Sequence, residues 1–172
     1  MQWKNKLVSQ IINVLGSAPQ HSEIFDRIIS DSSVSIHLAI FNEPFLTLIL
    51  EGVKKIETRF SINKISPYLK VKKGDIVILK KSGGMVTGFF IAGSVKYVEN
   101  LTTDVLEEIE NEYGNLICSG YDKYFWEYRK NANYATLIEI KKVRRIEPIT
   151  SEKRDRTSWV VLRKGLEETF FV

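Results

Sequence analysis

The chain has 172 residues, 44% of them hydrophobic, enough to bury one proper core with room for an N-terminal addition. Cys118 is the only cysteine, and His21 and His37 stand far apart, which excludes an intrachain disulfide and a cysteine-based zinc site; no metal or cofactor is expected. The net charge of +4 is modest and no apolar run is long enough to span a bilayer, so a cytoplasmic protein without membrane contact is expected.

Leu7, Ile11, Val14 and Leu15 recur at helical spacing, and Gly16 closes that helix. A second helix runs from His21 to Ile29, and Ser30-Asp31-Ser32-Ser33 reads as a linker. Residues 1–33 are therefore taken as an N-terminal helical extension and 34–172 as the main domain. Two short amphipathic helices are too little for a winged-helix module, so a cap docked on the main core is expected.

Val34, Ile36, Leu38 and Ile40 alternate with Ser35, His37 and Ala39, giving a first strand with His37 outward and without a role. A short helix follows from Glu43 to Glu51, and Gly52 sits where a left-handed cap is wanted. Beyond it, Ile56, Thr58 and Phe60 alternate with Lys55, Glu57 and Arg59, which places Glu57 and Arg59 on one strand face. Strict alternation sends Lys54 to the opposite face, and only a turn or bulge after Gly52 brings it round.

Residues 62–71 form a loop broken by Pro67. Asp75 to Lys81 and Val86 to Val98 then make a hairpin around Gly83-Gly84. Thr102 or Thr103 caps an acidic helix bearing Asp104, Glu107, Glu108, Glu110 and Glu112. Tyr121 to Arg129 is predicted as a short helix whose rings, Tyr124, Phe125, Trp126 and Tyr128, belong to the core. A long strand from Ala135 to Ile146 ends before Pro148, a closing strand holds Trp159 to Leu162, and a tail runs from Glu167 to Val172. The class is α+β: a small mixed β-barrel of about five to six strands with short helices around it.

Basic residues concentrate from Lys54 to Lys81 and from Lys141 to Arg156, with the acidic helix between them. Either an anionic partner such as nucleic acid or a solvated lysine-rich surface accounts for this segregation.

Several stretches in order resemble the ASCH family of the PUA-like superfamily over roughly residues 34–162. They are the run Gly52-Val53-Lys54-Lys55-Ile56-Glu57-Thr58-Arg59 after a helix, then Val71-Lys72-Lys73-Gly74-Asp75, then the hairpin Lys80-Lys81-Ser82-Gly83-Gly84 followed by Gly88 and a long apolar strand. The resemblance implies a PUA-like barrel whose polar cleft recognises RNA, a nucleotide or a modified nucleobase, with Glu57 and Arg59 in the cleft. Lys153-Arg154-Asp155-Arg156-Thr157-Ser158-Trp159 resembles an element of one ASCH subgroup and adds Arg156 and Trp159 as ligand-binding candidates. An indole beside cations suits a base. The alternative is that Trp159 is core and Asp155 with Arg156 pins a loop. Lys80 and Ser82 at the hairpin tip are a third ligand-binding group, where backbone amides can hold an anion.

One branch of the family resembles an acetylcytidine amidohydrolase using a lysine, a threonine three residues on and a helical glutamate. Lys54 matches the lysine, Glu57 stands where the threonine would be, and Glu110 or Glu112 could supply the glutamate. The implied alternative is a hydrolase of a modified nucleoside, or a ribonuclease, with Lys54 and Glu57 catalytic. A further alternative is a protein-interaction or regulatory module held through the N-terminal helices. Recognition at this place requires Glu57, Arg59 and Trp159 to converge on one hollow.

Overall fold

The computed structural model describes residues 2–166, and the predicted tail at 167–172 lies outside them. Helix α1 (Gln2–Gly16) turns Leu7, Ile11 and Leu15 to one side, as their spacing of four requires. Helix α2 (Ser22–Ser30) does the same with Ile24 and Ile28. All five are buried in one cluster with Ile36, Leu38, Ile76, Ile78, Phe89 and Leu162, so the two helices cap one face of the sheet. Fully burying a side chain of this size stabilises by about 1.5–3 kcal/mol, and Lys4 Nζ and Arg27 Nη2 add bonds to the Val161 and Gly74 carbonyls at 3.0 and 2.7 Å.

The strands are β1 (Ile36–Phe41), β2 (Ile56–Ser61), β3 (Ile76–Lys81), β4 (Val86–Glu99), β5 (Tyr134–Ile149) and β6 (Trp159–Arg163). They form a six-stranded sheet in the order β2-β5-β4-β3-β1-β6. β1 and β3 pair in parallel, while the remaining neighbours are antiparallel. A parallel pair needs a long crossover. Here helix α3 (Phe45–Leu50), β2 and the 62–75 loop supply it. That crossover carries β2 to the far edge, so β2 and β6 are both open edges. The sheet curls into a half-barrel, and the Arg59 side chain of β2 reaches across the gap to β1 and to Ser158 just before β6. Helix α4 (Thr103–Ile117) packs Leu106, Ile109 and Ile117 with Leu137 and Phe125 in a separate cluster. Thr102 caps it by accepting from the Val105 amide at 3.3 Å, as its sequence predicts.

The architecture is α+β as expected, with the small mixed barrel realised as a six-stranded sheet curled into a half-barrel, and with local corrections. Helix α3 is shorter than the predicted span, but its end is as expected: Gly52 adopts φ 73° and its amide bonds to the Ile49 carbonyl. His37 does not point outward. It is wholly buried, because β1 lies inside the sheet with apolar clusters on both faces, and alternation does not report exposure there. Tyr121 to Arg129 is not a helix but two 3-10 turns, Ser119–Tyr121 and Glu127–Arg129, joined by tight turns. The Asp122 carboxylate accepts from the Tyr124 amide at 3.0 Å, a local bond that competes with helix. The rings therefore diverge: Phe125 is buried, while Tyr124 and Tyr128 are 47% and 74% exposed. Pro148 does not end β5. The pairing with β2 reaches only Glu139, so the proline sits where β5 has lost that neighbour.

Candidate functional site

A cavity of about 960 Å³ opens between the end of β1 and the open edge of β2. Its walls are the end of β1 with residues 42–45, strand β2 with Ile62, and the 121–132 segment.

The turn after α3 decides where Lys54 goes. The amides of Val53 and Lys54 both bond to the Leu48 carbonyl, which swings the chain round before β2 starts. Lys54 thus joins Glu57 on the cavity wall instead of leaving by the opposite face. Its Nζ donates to the Ile117 carbonyl at 2.6 Å and lies 3.4 Å from Glu57 Oε2. Only 2% of Lys54 is exposed, and burial pushes its ammonium below the ordinary lysine value against the opposing pull of Glu57. The other Glu57 oxygen accepts from Arg59 Nε at 2.7 Å.

Arg59 is the seam of the half-barrel. Nη1 donates to the Ser158 carbonyl at 3.2 Å and Nη2 to the Ile40 carbonyl at 3.0 Å. The guanidinium also lies 4.8 Å from the Phe41 ring centre and 5.3 Å from that of Trp159. Every nitrogen of the fork has a protein partner, so Arg59 shapes the cavity wall before it binds anything else.

Trp159 lies behind Arg59, 1% exposed, and does not line the cavity. Its Nε1–H donates to His37 Nδ1 at 3.1 Å, and His37 Nε2 lies 3.0 Å from Asp75 Oδ2. With Nδ1 accepting, Nε2 must carry the proton and donate to the carboxylate. Asp75 also accepts from the amides of Ser35 and Lys72 at 3.0 and 2.9 Å. The expected convergence of Glu57, Arg59 and Trp159 on one hollow is therefore corrected: Glu57 and Arg59 line the cavity, but β6 pairs with β1 and that pairing folds the indole into the core, so aromatic contact in the cavity falls to other rings.

Lys80, Ser82 and Arg156 are not brought to the cavity. Lys80 is buried and spans its own hairpin turn, donating to the Lys81 and Gly84 carbonyls at 3.1 and 2.6 Å. The exposed Ser82 spends its amide on the Phe41 carbonyl at 2.8 Å. Arg156 is exposed on a loop that Asp155 pins through Lys153 Nζ and the Thr157 amide, both at 2.8 Å. These same bonds hold the Asp155 carboxyl well below the usual carboxylate range. Glu110 and Glu112 are exposed on α4, away from the cavity.

Sequence reasoning missed the outer wall. Tyr121, Tyr124 and Tyr128 line the cavity while exposed, and Arg129 packs its guanidinium 3.5 Å from the Phe125 ring centre, donating to the Phe125 carbonyl at 2.5 Å. Burial lowers the Arg129 pKa, with Glu57 opposing. The signal available in the sequence was Gly120 and Asp122, two turn formers beside the aromatics.

Among the described residues no helix is long and apolar enough to cross a membrane. The ASCH domain family matches residues 40–154, and the chain belongs to it. The chain is similar in fold to an ASCH protein from Zymomonas mobilis, at 16% identity and a TM-score of 0.59, covering 78% of this chain and 90% of that one. Two single-substitution variants of the Zymomonas mobilis protein match similarly, at TM-scores of 0.57 and 0.58, identities of 16% and 15%, and coverage of 75% and 77% of this chain and 91% of each of theirs. No curated protein matches the chain.

Proposed function

We propose that the cleft between β1 and β2 binds RNA or a nucleotide, holding a nucleobase, plain or modified, against its polar wall. The observation that carries this reading is a cavity of about 960 Å³ with a cationic floor and exposed tyrosines at its mouth. A cleft of that size takes a nucleoside. Lys54, Arg59, Lys123 and Arg129 line it against Glu43, Glu57 and Asp122, a balance that favours an anion. Stacking of a base on an aromatic ring contributes about 1–3 kcal/mol, and the rim offers rings that the core does not use. Membership of the ASCH family, with its PUA-like fold, is consistent with RNA binding.

Titration with nucleosides, modified nucleosides and short single-stranded RNAs tests it. The expected result is saturable binding that weakens as salt rises, and weakens further in Tyr128→Ala. Absence of binding by all three probe classes overturns the reading.

Hydrolysis is the second reading, favoured by one observation. Burial shifts Lys54 toward its neutral form beside Glu57, which gives a potential base and a carboxylate able to activate water. Turnover of a modified nucleoside or RNA that disappears in a folded Glu57→Gln variant supports it, and binding without turnover removes it.

A further inference from the structure

We infer that the free edge of β2 reads the bound base through main-chain atoms, with the N–H and C=O of Thr58 pairing to the Watson–Crick edge of a nucleobase. This rests on the nucleobase reading of the cleft.

The bonding parity of β2 is fixed at both ends. Ile140 N–H donates to the Lys55 carbonyl at 2.8 Å, and Asn133 N–H to the Ser61 carbonyl at 2.9 Å. In the register that pairs Glu57 with Ile138 and Arg59 with Thr136, odd-numbered residues turn their amides and carbonyls to β5. Thr58 and Phe60 turn theirs the other way. Among the described residues β5 is the only strand that β2 pairs with, so that side is an open edge. Neither outward set has a partner among the described residues. Thr58 is only 7% exposed and lines the cavity. Glu57 and Arg59 from one face of β2 and Thr58 and Phe60 from the other all line it, so the cavity meets the strand edge-on. A buried main-chain donor and acceptor without partners is rare and calls for an occupant. Across the gap the situation differs: the Ile40 and Ser158 carbonyls are already taken by Arg59.

The adjacent donor and acceptor of one strand residue match the adjacent acceptor and donor of a base edge. An added peptide strand fits less well. It needs a run of open residues, and here the Arg59 side chain bridges to β1 while the 121–132 segment walls the outer side.

The test titrates the protein with uridine, cytidine, adenosine and guanosine. Each is compared with its analogue methylated on the Watson–Crick edge: 3-methyluridine, 3-methylcytidine, 1-methyladenosine and 1-methylguanosine. The expected result is at least tenfold weaker binding for the methylated partner of any nucleoside that binds. Thr58→Pro deletes an N–H that the ladder does not use, a position where an edge strand tolerates proline. It weakens nucleoside binding at least tenfold more than Thr58→Val does. If the proline variant fails to fold, replacing the Thr58 amide by an ester removes the same donor without the ring. Equal binding of plain and methylated nucleosides, or full affinity in the folded ester variant, overturns main-chain readout and leaves the cleft reading standing. Failure of all four nucleosides at millimolar concentration overturns main-chain readout, and failure of the modified nucleosides and short RNAs as well overturns the cleft reading too.

Discussion

Two buried polar networks meet at Trp159, and they differ in what they leave over. In the first, Asp75 accepts from His37, Ser35 and Lys72, and His37 accepts from the indole, so each of these bonds ends on another protein group. In the second, Lys54, Glu57 and Arg59 pair with one another and with three carbonyls, but they line a cavity beside the unpartnered edge of Thr58. Lys54 and Glu57 are nearly as deeply buried as His37 and Asp75, with Arg59 half-buried beside them, and burial alone does not separate the two networks. The difference is closure. A network that satisfies itself specifies the fold, and one with open groups beside a cavity is placed to meet a ligand.

The largest expected effect breaks the closed network. Asp75→Ala orphans two main-chain amides and the His37 N–H, and should cost roughly 3–5 kcal/mol in denaturant unfolding. A loss below about 1 kcal/mol would mean that the bonds are not what closes this network. Glu57→Gln comes next, at about 2–4 kcal/mol, because the buried Lys54 and the half-buried Arg59 lose their counter-charge. Here the two networks should part company: a bound anionic ligand restores part of the Glu57→Gln loss by linkage, and none of the Asp75→Ala loss beyond what it gives the wild type.

Arg59→Lys is expected to cost about 1–2 kcal/mol, since an ammonium cannot hold Glu57 and also reach both carbonyls across the seam. Faster hydrogen exchange at the Ile40 amide, which bonds to the Ser158 carbonyl, would locate the loss. Trp159→Phe should cost about 1 kcal/mol by leaving His37 Nδ1 without a donor. The smallest effect is a slope. Burial lowers the folded pKa of Lys54 below its ordinary 10.5, so between the two values the unfolded chain binds more protons than the folded one. This contribution therefore raises stability as pH climbs through that window, and it should vanish in Lys54→Met when the two unfolding profiles are compared.

Much of the cleft was readable from local pattern. The glycine cap at Gly52 and the alternation from Ile56 to Phe60 place Glu57 and Arg59 together, as found. The same alternation left the direction of Lys54 open, and the doubled bond to the Leu48 carbonyl is the turn that brings it round before the strand begins. The aromatic segment was misread for the reverse reason. Its i, i+4 spacing looks like a packing face, yet two 3-10 turns aim Tyr124 and Tyr128 outward.

The amino-acid order by itself determined the α+β class, most of its strands and helices, the caps, the hairpin and the shared face of Glu57 and Arg59, since each depends on residues a few positions apart. Only the tertiary structure decided that β2 is an open edge, that Trp159 is core, and that Arg59 closes the seam. The partners responsible, Ile40, Ile117 and Ser158, stand 19 positions from Arg59, 63 from Lys54 and 99 from Arg59. Periodicity reports which way a side chain points, but the neighbour it meets is set by how distant strands pair.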